Sequence, residues 1–153
     1  MKTVTKVKIV YASMTGNDED MADILSEDFE EAGMDVDMSE ISQTDVADYQ
    51  DADICIMVSY TYSDGLEGNI PDEGLDFYHD LLEADLTGKL YGVCGSGDRF
   101  YQDFCIAVEH FEQAFEQAHA QKAAMSVKVE LAPDNDDIAN LDHFAQTIIQ
   151  NCQ

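Results

Sequence analysis

Apolar positions along the chain follow two alternating periods. Residues 4–12 carry the run Val7-Lys8-Ile9-Val10-Tyr11-Ala12 and predict a strand. Residues 19–31 place Met21, Ala22, Ile24, Leu25 and Phe29 on one helical face, with Ala32 following and Gly33 ending the helix. Residues 34–41 alternate apolar and acidic positions, as an edge strand would. The run Ile54-Cys55-Ile56-Met57-Val58 within residues 53–60 is apolar on every residue, the pattern of a central strand buried on both faces. A loop is expected over 59–73, a helix over 75–86, a fourth strand over 89–94 and a loop at Gly95-Ser96-Gly97-Asp98. A long helix follows over 104–120, then a fifth strand over 124–131 with Val127, Val129 and Leu131 alternating. Pro133-Asp134-Asn135-Asp136 caps a last helix carrying Ile138, Leu141, Phe144, Ile148 and Ile149.

Strands alternating with helices imply an α/β fold of three layers: a five-stranded parallel sheet with helices on both faces, built by residues 1–153 as one domain. In such sheets ligands bind beyond the carboxyl ends of the strands. The loops after the first, third and fourth strands should therefore meet on one rim.

The first of these loops is Ser13-Met14-Thr15-Gly16-Asn17. Backbone N–H groups, the hydroxyls of Ser13 and Thr15 and a helix N-terminus make an anion cradle there. It holds no Lys or Arg, so a bound phosphate would be held by dipoles. The Lys of a nucleotide P-loop is missing and the loop is not Gly-x-Gly-x-x-Gly, so a monophosphate suits it better than a triphosphate and no metal is needed. The same residues would also serve as an ordinary helix cap, and the loop alone does not decide between the two.

The second loop, Ser59-Tyr60-Thr61-Tyr62-Ser63-Asp64-Gly65, and the third, Gly95-Ser96-Gly97-Asp98-Arg99-Phe100-Tyr101, each bring tyrosine to the rim beside Gly and Asp. Tyr62 and Tyr101 could sandwich a flat ring, with stacking worth ~0.5–1.5 kcal/mol per face. Backbone groups of Gly95, Gly97 and Asp98 could read the ring's polar edge.

Composition narrows the partners. Thirty-three acids against seven bases leave a formal net charge of -26. Nucleic acid and anionic membranes are disfavoured by such a field, and basic protein faces are favoured. Much of the acidity also reads as a solvated coat or an adaptation to salt. No stretch approaches the ~18 apolar residues of a membrane span, and the N-terminus lacks an apolar signal core, so a cytoplasmic location is expected. Cys55, Cys94, Cys105 and Cys152 are too scattered for a metal site, and Cys55 and Cys94 sit in strand-like runs as small hydrophobes. His79, His110, His119 and His143 are scattered on helical patterns.

Taken together, Ser-x-Thr-Gly-Asn, Tyr-Thr-Tyr-x-Asp-Gly and Gly-Ser-Gly-Asp-x-x-Tyr, followed by Phe104-Cys105-x-Ala107-Val108, resemble the short-chain flavodoxins over essentially the whole chain. The resemblance implies strand order 2-1-3-4-5 and non-covalently bound FMN. It places Ser13, Thr15, Gly16 and Asn17 on the FMN phosphate, Tyr62 and Tyr101 on the two ring faces, Thr61, Ser63 and Asp64 at one ring edge, and Ser96, Gly97 and Asp98 at the other. It extends the cofactor contacts to Met14, Asp18, Ser59, Tyr60, Gly65, Gly95, Phe104 and Cys105. Two positions depart from the family. Asp18 stands where Thr is common and is expected to point into solvent or to cap the helix. Ser63 stands where many members have Gly, in a turn that favours it.

The function implied is a low-potential one-electron carrier, monomeric, docking transiently on basic faces of a reductase and of acceptor enzymes. Asp64, Glu67, Asp72 and Asp98 are the acids expected near the flavin. A unit charge ~6 Å away at an effective dielectric of ~20 disfavours added negative charge by roughly 3 kcal/mol, or about 120 mV for one electron. An NAD(P)H-dependent FMN or quinone reductase would need an Arg/Lys cluster that the chain does not offer. A flavodoxin-like activator of a metalloenzyme stays open. A receiver-type signalling module would need acids where Ser13 and Ser59 stand.

Overall fold

The computed structural model describes residues 4–13, 16–64, 67–98 and 105–152. Strand β1 (Lys6–Ala12) pairs in parallel with β2 (Asp35–Glu40) on one side and β3 (Ile54–Tyr60) on the other. Strand β3 pairs in parallel with a later strand, Leu90–Gly97. Between them the chain forms a short antiparallel hairpin, β4 (Tyr62–Asp64) with β5 (Glu67–Asn69), so the Leu90–Gly97 strand is β6. The far edge of β6 is taken by two pieces, β7 (Gln121–Lys122) and β8 (Val127–Glu130). The predicted fifth strand is thus one edge position filled in two segments, and the expected order 2-1-3-4-5 holds.

Among the described residues five helices cover the sheet: α1 (Asn17–Glu31), α2 (Ala47–Gln50), α3 (Leu75–Glu83), α4 (Ile106–Gln117) and α5 (Asn135–Asn151). The period-2 geometry of β3 divides the core. Ile54, Ile56 and Val58 pack with Met21, Leu25 and Phe29 of α1 and with Leu141, Phe144 and Ile148 of α5. Cys55 and Met57 face the other way, against Phe77 and Leu81 of α3 and Phe111 and Phe115 of α4. Burial on both faces is why β3 is apolar at every position. Tyr49 of α2, in a segment with no clear sequence pattern, is fully buried, donates to the Ile56 carbonyl at 2.6 Å and lies edge-on to Phe77. Cys55 and Cys94 are buried thiols, as expected of small hydrophobes.

Three local corrections have physical causes. Residues 95–97, expected as loop, continue β6, because Gly95 and Ser96 pair with Ser59 and Tyr60 of β3. A Cβ on Gly95 would stand 2.4 Å from the Ser59 carbonyl oxygen and 2.5 Å from Val108, so a strand runs where only glycine fits under α4. The long loop over 59–73 contains the β4–β5 hairpin. Lys8, inside an apolar run, is only 5% exposed, and its ammonium meets Asp37 of β2 at 2.5 Å and Asp48 of α2 at 3.9 Å. The final helix is capped as expected: the Asp134 side chain accepts from the Asp137 N–H, and the Asp137 side chain accepts from the Asp134 N–H.

Candidate functional site

Register brings the predicted loops together. Ala12 of β1 stands beside Ser59 of β3, Ser59 beside Gly95 of β6, and Tyr60 beside Ser96. The chain therefore leaves β1, β3 and β6 on one rim. The Thr61 N–H donates to the Ser96 carbonyl at 3.0 Å, stitching the second and third loops.

At the first loop the Gly16 N–H donates to Ser13 Oγ at 2.9 Å. Gly16 has φ +92°, a left-handed conformation that a side chain would strain, and it opens α1 with no side-chain cap on the helix N-terminus. Uncapped first-turn N–H groups behind a hydroxyl turn fit a phosphate group. Met14 and Thr15 lie outside the described residues.

Asp18 contradicts the expectation that it faces solvent. It is 1% exposed, in the first turn of α1, and Ser96 Oγ donates to its Oδ2 at 2.7 Å across 78 residues of sequence. Its Oδ1 is buried without a hydrogen-bond partner. Burial pushes the carboxyl up to about 7, and the hydrogen bonds from Ser96 only partly oppose this. The carboxyl neither caps the helix nor solvates; it props α1 against β6.

In the second loop, Ser59 is fully buried and its hydroxyl donates to the Tyr60 carbonyl at 2.8 Å. The Tyr60 hydroxyl donates to Glu73 at 2.8 Å, and burial with that carboxylate raises it above the usual tyrosine range. Thr61 Oγ1 accepts from the Ala107 N–H at 3.1 Å and so caps α4, a role the sequence does not announce. Tyr62, Ser63 and Asp64 are placed by their backbone on β4. Gly65 lies outside the described residues.

In the third loop, Gly97 allows close packing: a Cβ there would stand 2.9 Å from the Cys105 backbone nitrogen. The Gly97 carbonyl accepts from the Leu131 N–H at 2.9 Å. Cys105 is buried, with its thiol toward the Gly95 and Val129 carbonyls, and belongs to the floor beneath the rim. Cys105, which packs against Gly97, and Leu131, which donates to its carbonyl, both hold positive φ, 55° and 58°. Strain of this kind tends to gather at functional sites. Asp98 is half-buried, while Tyr101 and Phe104 lie outside the described residues. Glu73 was missed because its only sequence signal is one acid among many.

Acids dominate the rim's field. Asp18, Glu19 and Asp20 open α1, Glu40 ends β2, and no Lys or Arg occurs between Lys8 and Lys89. A pocket of about 500 Å³ between β8 and α5, lined by Met125, Lys128, Asn140, His143 and Thr147 among others, contains none of the loop residues. Among the described residues no cluster suits a metal ion, and no helix is long and apolar enough to cross a membrane.

With this geometry in place, comparison with known proteins is decisive. The family model described as Flavodoxin matches residues 9–143. The chain belongs to the flavodoxin family. It is an FMN-binding electron carrier. It is 38% identical over 144 residues to "Probable flavodoxin 2" of Bacillus subtilis (strain 168), covering 94% of this chain and 93% of that protein. Among solved structures it is similar to a Streptococcus pneumonia TIGR4 flavodoxin, with TM-score 0.91 and 45% identity over 95% of this chain and 99% of that one. It is also similar to a short-chain flavodoxin associated with a non-canonical PDU bacterial microcompartment, with TM-score 0.93 and 46% identity over 98% of this chain and all of that one (100%).

Proposed function

We propose that the rim formed by the ends of β1, β3 and β6 is the FMN site, with the phosphate on the α1 cradle of Ser13, Thr15, Gly16 and Asn17. The flavin ring then lies between the second and third loops, with Tyr62 and Tyr101 on its faces and Asp64 and Asp98 near its edges. The observation that carries this reading is the uncapped N-terminus of α1, opened by a left-handed Gly16 beside Ser13, on the rim where Thr61 is tied to Ser96.

Bound FMN supplies the one-electron chemistry. The chain's own residues set its terms. Ser59 and Cys105 hold the floor, and Thr61 fixes the start of α4 against the second loop. The acidic rim disfavours added negative charge, so the carrier works at low potential. The same field steers the protein onto basic faces of a reductase and of acceptor enzymes in fast, weak, salt-sensitive encounters. It acts as a monomer in the cytoplasm.

Fluorescence titration of the apoprotein tests the site. Asn17→Ala should weaken FMN binding about tenfold or more while leaving riboflavin, which lacks the phosphate, within about twofold. Equal loss for both ligands, or no loss for either, would place the phosphate elsewhere.

A further inference from the structure

Asp18 is a buried acid on the rim, and as a carboxylate it works against the ligand the rim is read to hold. It is the second residue of α1, the helix whose N-terminus forms the cradle. It is 1% exposed and its Oδ1 has no partner. Buried carboxylate oxygens usually find a partner; among the described residues Asp28 shares this orphaned oxygen, but only Asp18 stands in the first turn of α1 at the rim. A buried carboxylate beside a phosphate dianion would also repel it at close range.

Among the described residues that face Asp18 there is no cation. The Ser96 hydroxyl and the buried Cys94 thiol face Asp18 from β6, and Tyr60 faces it from the end of β3. Glu19 and Asp20 share its helical turn, Glu19 taking a hydrogen bond from Tyr11 of β1 at 3.3 Å, and Asp98 follows two residues after Ser96. On α5, Asp142 faces Asp28 of α1, ten residues farther along the helix. With Cys94 and Tyr60 both held in their neutral forms, a proton on Asp18 is the way to remove the repulsion.

We propose that Asp18 is a proton-gated specificity residue: the cradle accepts a phosphorylated flavin with the Asp18 carboxyl neutral, so FMN binding takes up a proton and riboflavin binding does not. The inference rests on the phosphate lying at the α1 cradle. That the carboxyl sits near 7 through burial means that physiological changes of pH move it between the two states. The gate selects for phosphate below neutrality and weakens that selection above it. The free phosphate monoester has its second pKa at about 6, so above pH 7.5 the ligand no longer changes and the protein's own titration is what remains.

The test is FMN and riboflavin binding to the apoprotein from pH 7.5 to 9, for the wild type, Asp18→Asn and Asn17→Ala. In the wild type the FMN Kd should rise about tenfold per pH unit, the slope for uptake of one proton, while the riboflavin Kd stays flat. Asp18→Asn should bind FMN with a flat profile and more tightly than wild type at pH 9. Isothermal titration of the wild type at pH 8.5 in two buffers of different ionisation enthalpy should register about one proton per FMN and none per riboflavin; this arm does not depend on any variant folding. A wild-type FMN profile matching that of Asp18→Asn, or no proton taken up, overturns the role of Asp18. If Asn17→Ala leaves FMN binding unchanged at every pH, the phosphate is not on α1 and the site reading fails first.

Discussion

Two buried ionisable side chains, one on β1 and one on the helix that follows it, behave in opposite ways. Lys8 sits in β1 toward the base of the sheet, and Asp18 sits ten residues later beyond its carboxyl end. Lys8 is 5% exposed and is met by Asp37 and Asp48. Asp18 is 1% exposed, its side-chain donor among the described residues is Ser96, and no Lys or Arg occurs in the 80 residues between Lys8 and Lys89. The first charge is neutralised by the fold. The second is left to be neutralised by a proton. The pairs of Lys8 tie β2 and α2 to β1, whereas Asp18 stands at the rim with one oxygen unpartnered.

The largest way to break that comparison is to make Asp18 as quiet as Lys8. The folded carboxyl is raised to about 7 from 3.8, so the native state keeps a proton that the unfolded chain has lost between those values. Stability therefore falls as pH rises through that window and stays low above it. Asp18→Asn should remove the fall, gaining up to about 4 kcal/mol at pH 8 and nearly nothing at pH 4. Urea unfolding of the apoprotein at both pH values checks it, and an equal effect at both would show that the carboxyl is not titrating.

The reverse experiment makes Lys8 as exposed to its own burial as Asp18 is. Asp37→Asn with Asp48→Asn leaves an ammonium buried without a counter-ion and should cost about 3 kcal/mol at pH 7, whereas Lys8→Met should stay within about 1 kcal/mol. Chemical denaturation of the two variants separates a charge that needs its partners from a side chain that merely packs.

The smallest effect belongs to a third group, Asp28 of α1. Partial burial and Asp142 across the α1–α5 contact raise its carboxyl to about 7, and one of its oxygens is buried without a partner. Its pH window is the same as that of Asp18, but solvent screens much of the interaction. Asp28→Asn should raise the melting temperature by a few degrees at pH 8 and leave it unchanged near pH 4. Because Asp28 lies far along α1 from the cradle, the same variant should not alter the FMN profile, which ties the cofactor effect to Asp18 alone.

Much of the fold was legible. The all-apolar β3 announced a strand buried on two sides, and the helical spacing of Met21, Leu25 and Phe29 announced the layer that covers one face. The rim was legible because three loops rich in Gly, Ser and Tyr follow alternate strands of a parallel sheet. Thr61 was legible as a rim residue, but not as the cap of α4, since its bond to Ala107 spans 46 residues. Gly95 read as loop because glycine punctuates loops, whereas here it marks the closest approach of Val108 and the Ser59 carbonyl. Tyr49 and Lys8 escaped notice because burial of a polar-tipped side chain depends on partners that no local pattern contains.

By itself the amino-acid order determined the alternation of strands and helices, the rim on which the loops converge and a cradle without positive charge. These follow from periods of two and 3.6 residues and from turn chemistry, all of which act over a few neighbours. Only the tertiary structure decided the state of Asp18. Its carboxyl turns inward because Ser96, 78 residues away, is brought to the first turn of α1 and shuts out water. Desolvation is a property of what surrounds a group in space, and a sequence lists only what surrounds it along the chain.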